Sequence, residues 1–288
     1  MRKNILFLFT ITLSIILLDC DQKKTSQADN DNCENLKKAY RLIKEGKQNS
    51  EKFNKVLKNI KDLSALEIDI EDPITDDQRS RGQIAYSTFS NRLTKNLEID
   101  YQVFKDLINQ NSHLSLVRIQ YVYLSESTLQ SLVKDISDEN EKKSVIDSLV
   151  KYKDNLYAIL TFTNENSTNI KSYLVFNIPS KAYSININEK DIYDGLIQNV
   201  SVILGNPEYI AKSIKYNSTK VKDYIDKIDE YVAVCDMSPV TKLRFDFCYG
   251  VSKSTNAKKS IFTTSIPVHS DGKELESFPY YDQGSLEP

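Results

Sequence analysis

Few side chains in this sequence can do covalent or acid–base work. The cysteines are Cys20, Cys33, Cys235 and Cys248, and the histidines are His113 and His269. Acid–base catalysis near neutrality wants a histidine, or a carboxylate tuned by its surroundings. His113 stands just before an apolar run and His269 just after one, positions that read as surface loops. A serine triad would need an exposed nucleophile beside such a base, and no Gly-x-Ser-x-Gly elbow is present. There is no His-Glu-x-x-His, no pair of Cys-x-x-Cys motifs and no glycine-rich phosphate loop, so the usual zinc and nucleotide patterns are missing. The sequence therefore predicts no catalytic residue, no metal and no cofactor.

Carboxylates do cluster. Glu67, Asp69, Glu71, Asp72, Asp76 and Asp77 crowd one connection, and Asp135, Asp138, Glu139 and Glu141 another. Neither fits the twelve-residue calcium loop with its central glycine. Both read as solvated connections and helix caps. A glycosidase-like carboxylate pair is kept only as the enzymatic alternative. Lys37, Lys38, Lys44, Lys47, Lys52, Lys55 and Lys58 make the first helices basic on one side, the ordinary polar face of an amphipathic helix. Tyrosines are plentiful, at 17 against no tryptophan. Tyr121, Tyr123, Tyr157, Tyr173 and Tyr183 fall on strand candidates, and Tyr280 and Tyr281 in the tail. Tyrosine serves interfaces and cores alike, and both readings stay open.

The 288 residues carry Lys+Arg 38 against Asp+Glu 40, a net charge of -2, with 40% hydrophobic and 27% charged residues. Such values belong to a folded globular chain. The near-neutral balance supplies no basic field for nucleic acid. The amino terminus has its own pattern. Arg2 and Lys3 precede an apolar run from Ile5 to Leu18, broken only by Thr10, Thr12 and Ser14. The run is short for a membrane span and has the layout of a secretory signal.

Leu17-Leu18-Asp19-Cys20 resembles the lipobox of bacterial lipoproteins. That resemblance implies cleavage before Cys20 and a diacylglyceryl group on its sulfur. Asp19 departs from the pattern, standing where the family has a small residue. Relaxed lipoboxes of this kind, with an Asn/Lys/Ile-rich composition, are similar to those of spirochaetal surface lipoproteins. The implied partner is a membrane, held through Cys20, since two or three acyl chains anchor durably where one does not. Asp21 to Asn32 holds no apolar side chain larger than Ala28 and reads as a flexible tether.

Export implies an oxidising compartment. With Cys20 acylated, three cysteines remain. The expected bridge is Cys235–Cys248, because Ser238-Pro239 lies between them as a turn signal. The competing pairing ties Cys33 to one of the distant two.

The elements that position these residues read as α+β. Helices are expected over 33–63 with a break at 46–49, from Thr75 with Gln78 as a capping-box partner, and over Tyr101 to Asn109. In the second of these, Ile84, Ala85, Phe89 and Leu93 supply the apolar stripe. Strands are expected from Leu114 through LSLVRIQYVYL, then at Leu156 to Thr163, Lys171 to Ile178 and Tyr183 to Ile187. Helices follow at 126–136 and 140–152, from Asn188, and from Asn206-Pro207-Glu208 to about Glu230 with a break at Asn217-Ser218. Lys242 to Val251 alternates as a half-buried strand, with Ile261 to Val268 as its partner. The domain plan is a signal over 1–19, a tether over 20–32, and one α+β domain over 33–269, helical over 33–112 and mixed over 113–269. A loosely ordered tail over 270–288 completes it. The expected architecture packs the N-terminal helices on an antiparallel sheet of five or six strands. The expected role is a lipid-anchored, exported, non-enzymatic binding protein at the cell surface, meeting host molecules. The alternatives are a periplasm-facing envelope lipoprotein and a carboxylate hydrolase.

Overall fold

A computed structural model describes residues 30–60, 74–89, 93–165, 170–204, 211–235, 237–250, 259–281 and 285–287. The expected signal, Cys20, most of the tether, four carboxylates of the first cluster and Asn206-Pro207-Glu208 lie outside these residues.

The chain is α+β, with antiparallel sheets. Helix α1 covers 30–44 and buries Leu36, Ala39, Tyr40 and Ile43. It closes in a Schellman motif: Gly46, at φ +72°, donates to the Ile43 carbonyl and Lys47 to that of Leu42. Ser50 caps α2 (Glu51–Lys58) by accepting from the Phe53 amide. Thr75 and Gln78 form the expected reciprocal box at the start of α3 (Asp76–Phe89). Then come β1 (Asn96–Asp100), α4 (Tyr101–Gln110), β2 (Leu116–Tyr123), α5 (Glu126–Val133), α6 (Glu139–Leu149), β3 (Leu156–Thr163), β4 (Lys171–Leu174), β5 (Tyr183–Ile185) and α7 (Glu189–Leu204). The chain closes with β6 (Ser213–Asn217), α8 (Ser218–Val234), β7 (Val240–Gly250), β8 (Ser260–His269) and β9 (Ser285–Glu287).

The strands make two sheets instead of the one expected: six in the order β5-β4-β3-β2-β6-β9 and three in the order β1-β7-β8. The inner faces meet, with Tyr121 5.7 Å from Phe247 and Phe176 5.5 Å from Phe245 between ring centroids. Helices α4 and α8 close one end of this core, where Phe104 reaches Phe245 and Tyr101 donates to the Ile225 carbonyl. The sheets are also stitched at an edge. Asn177 donates its amide to the Glu98 carbonyl, and its side chain accepts from the Glu98 amide, which blunts the open side of β1.

Five expectations need correction. The helix read through 211–217 is strand β6, whose Ser213, Ile214 and Tyr216 are buried; helix begins only at Ser218, with the Asn217 side chain accepting from the Thr219 and Lys220 amides. Asparagine there is a cap, not a break. Of the expected α3 stripe, Phe89 packs on Tyr249 and Leu93, just past the helix, is buried, but Ile84 is 68% exposed and the buried positions within the helix are Gly82 and Tyr86. The polar face of β7 is covered beyond the exposed Lys242, because α3 lies on it and leaves Asp246 at 2% exposure. The tail is docked through Tyr281: Leu275, Phe278, Tyr280 and Tyr281 are buried, and Ser265 of β8 exchanges backbone hydrogen bonds with Tyr281. The tether is shorter than drawn, since α1 already begins at residue 30.

Candidate functional site

Among the four cysteines, the structure joins Cys33 to Cys235, with Cα atoms 4.9 Å apart, a normal disulfide span. The expected Cys235–Cys248 bridge is absent. Cys235 ends α8, whereas Cys248 lies inside β7 with its side chain under α3. There its thiol contacts the Arg79 carbonyl at 3.8 Å, and the Cα of Gly82 comes so near that a Cβ would stand 2.8 Å from that of Cys248. The Ser238-Pro239 turn therefore does not carry the two sulfurs together. The bridge ties the start of the body, just after the expected tether, to the end of α8.

Beside it, an aromatic cluster fastens the tail. Tyr40 of α1 lies 5.1 Å from Tyr231 of α8 and 5.0 Å from Phe278, edge to face. Tyr231 donates to the Glu276 carbonyl at 2.8 Å. The tyrosines singled out in the sequence divide accordingly: Tyr121, Tyr157, Tyr280 and Tyr281 are buried core rings, and Tyr123, Tyr173 and Tyr183 pack partly against that core.

Two buried polar strips stand out. The first is on the outer face of β7. Arg79 Nε donates to Asp246 Oδ2 at 3.0 Å, Arg79 Nη1 to Tyr280 Oη at 2.8 Å and Arg79 Nη2 to Glu274 Oε1 at 3.0 Å. Arg244 donates to Asp246 Oδ1 at 2.9 Å and also to Glu274. Tyr280 Oη in turn donates to Glu274 Oε2 at 3.2 Å, and its ring is faced by Lys44 and Arg79, each 4.3 Å from its centroid. Burial alone would raise the Glu274 carboxyl, but the charges of Arg79 and Arg244 outweigh it and hold its pKa below the ordinary value. Burial pushes the Lys44 ammonium below its ordinary value, against the pull of Asp76 and Glu274. The lysine-rich face read from the sequence thus loses Lys44, which turns inward, while Lys38, Lys47, Lys52, Lys55 and Lys58 are exposed.

The second strip lies on the outer face of the six-stranded sheet. Cross-strand partners share a face. Arg118 of β2 pairs with Thr161 of β3 on one side and Lys215 of β6 on the other; Thr161 pairs with Ser172 of β4, and Gln120 with Ser213. Helix α7 packs over β2 with Ile192, Leu196 and Val200 buried, and its first-turn Glu189 reaches Arg118 Nη1 at 3.6 Å. Thr161 is 0% exposed and Gln120 7%, yet neither Thr161 Oγ1 nor Gln120 Oε1 has a hydrogen-bond partner. Sequence reading passed over these residues. The available signal was Arg118 and Gln120 alternating inside an otherwise apolar strand.

The other candidates sort simply. His113 is exposed between α4 and β2, and His269 ends β8 with Nδ1 3.4 Å from the Pro239 carbonyl. Asp138 caps α6, Asp135 accepts from the Asn186 amide and Glu141 pairs with Lys181; Asp76 and Asp77 pair with Lys44 and Arg81. Among the described residues no group of three His, Cys, Asp or Glu side chains is placed to hold a metal, and no helix is long and apolar enough to cross a membrane. A cavity of about 20 Å³ lies between the sheets beside Ile119, Tyr224 and Phe245, room for about one water molecule. No protein-family model, no curated protein and no solved structure matches the chain.

Proposed function

We propose that the chain is an exported lipoprotein, held to a membrane by an acylated Cys20 and acting by binding rather than catalysis, at the cell surface towards host molecules. The observation that carries export is the Cys33–Cys235 bridge, because structural disulfides persist in oxidising compartments and are rare in reducing ones. The lipobox-like run at Leu17 to Cys20 supplies the anchor. On this reading the membrane-proximal end is the one where α1 begins and α8 stops, which the bridge holds together.

Detergent phase partitioning tests the anchor. The native chain is expected in the detergent phase, and the Cys20→Ser form in the aqueous phase. Mass spectrometry finding an unmodified thiol at Cys20 in the native protein would overturn the reading. Protease added to intact cells tests the orientation. Cleavage is expected at the surface. Resistance until the outer membrane is opened would instead favour the periplasm-facing reading, which Asp21 supports through its likeness to an inner-membrane retention signal. Binding is tested by capture from host serum and matrix.

A further inference from the structure

The strip beneath α7 combines features that a purely structural seam does not need. The end of the sheet face near Val122 and Tyr157 is apolar and fully buried in the common core. The other end carries Lys215, Arg118, Thr161, Ser172 and Gln120, yet the helix laid across it offers Ile192, Leu196 and Val200. An apolar helix face cannot satisfy polar groups. Each buried donor or acceptor left without a partner costs about 1–3 kcal/mol, and Thr161 Oγ1 and Gln120 Oε1 are two such groups on one patch. Valine at 161 and an aliphatic residue at 120 would have been buried there without that cost.

The side chains also specify what would satisfy them. Arg118 offers a planar guanidinium, the group best matched to a carboxylate. The chain's own Glu189 carboxylate, 43% exposed, already lies against it at 3.6 Å. Gln120 Oε1 needs a donor, and the Thr161 hydroxyl donates or accepts. A carboxylate flanked by hydroxyl groups meets all three. We propose that this strip is a binding site for a small hydroxy carboxylate of the sugar-acid class, with Arg118 taking its carboxylate in place of Glu189, Gln120 and Thr161 taking its hydroxyls, and α7 as the cover that must lift to admit it. The inference rests on the chain being a binding protein and not on the lipid at Cys20, so failure here leaves the anchor test untouched.

Titration calorimetry on the full chain in detergent, with gluconate as the probe and glucose as the uncharged control, decides it. Gluconate is expected to bind saturably and glucose not at all. Arg118→Gln is expected to weaken binding about tenfold or more, the worth of a charge-assisted hydrogen bond. Thr161→Val, which keeps shape and removes only the hydroxyl, is expected to weaken it about fivefold. Glu189→Gln removes the competing carboxylate and is expected to tighten it by about threefold or more. A merely structural Glu189 would not produce that tightening. Absence of gluconate binding in both the native chain and Glu189→Gln would overturn the proposal. So would binding that Thr161→Val and Arg118→Gln leave unchanged, or binding of inorganic phosphate as tight as that of gluconate.

Discussion

The two polar strips are built from the same materials and end in opposite states. Each lies on the outer face of a strand, under a helix, and each contains arginine. On β7, every charged group finds a partner: Arg79 and Arg244 share Asp246 and Glu274, and Tyr280 closes the ring. Three separate pieces of chain meet there, namely α3, the β7 strand and the docked tail, so the strip works as a latch. On β2 and β3, the helix packed over β2 brings Glu189 and the buried Ile192, Leu196 and Val200, and Thr161 and Gln120 stay unpaired. A polar strip whose charges are all paired holds a fold together even with one orphan hydroxyl, that of Thr264 beside Asp246, whereas one that leaves a buried amide and hydroxyl beside an arginine retains the capacity to bind.

The largest expected effect falls on the latch. Asp246→Ala leaves two arginines buried without their shared acid, which typically costs about 3–5 kcal/mol; urea unfolding with an unchanged slope would show it. A loss under about 1 kcal/mol would mean that the latch holds nothing. Next comes the bridge. Cys33→Ser is expected to cost about 2–4 kcal/mol, and dithiothreitol should lower the thermal midpoint of the native chain but not that of the variant. Equal midpoints for the native chain with and without reductant would contradict a structural bridge.

Acid is the next lever on the latch. Glu274 has a lowered pKa in the folded state, so its contribution is complete above the ordinary glutamate value of 4.5 and is lost as the pH falls through the lower folded value. Glu274→Gln lacks that contribution at neutral pH. Its stability should therefore fall less steeply below about pH 4.5, and the gap to the native chain should narrow. Parallel curves would remove Glu274 from the latch. The smallest effect belongs to the other strip. Thr161→Val removes an unpaired hydroxyl at constant shape and should change stability by less than about 1 kcal/mol, in the stabilising direction. A destabilisation of about 2 kcal/mol would mean that Thr161 is held by a hydrogen bond after all.

The sequence made the local structure legible where one signal dominated. The Thr75–Gln78 box and the Asp138 cap stand as read, because capping is decided within four residues. The alternation in 242–251 identified a strand, but its polar residues could not announce that α3 and the tail would cover them; Arg79 and Glu274 lie far from Asp246 in the chain and meet it only in the fold. Strands β1 and β6 were missed because five residues leading straight into a helix leave little room for a period of two to show. The tail was missed because Leu275, Phe278, Tyr280 and Tyr281 are buried through irregular chain that has no period at all. The Cys33–Cys235 pairing joins residues 202 apart, a distance over which spacing carries no information.

Hydrogen exchange on the native chain measures the contrast between the strips most directly. Amides of α7 are expected to open at a lower free energy than those of α3 and β7, and gluconate is expected to slow α7 while leaving α3 as it was. Protection of α7 equal to that of β7, unaltered by the ligand, would contradict a lifting cover and reduce the strip beneath it to an ill-matched piece of core.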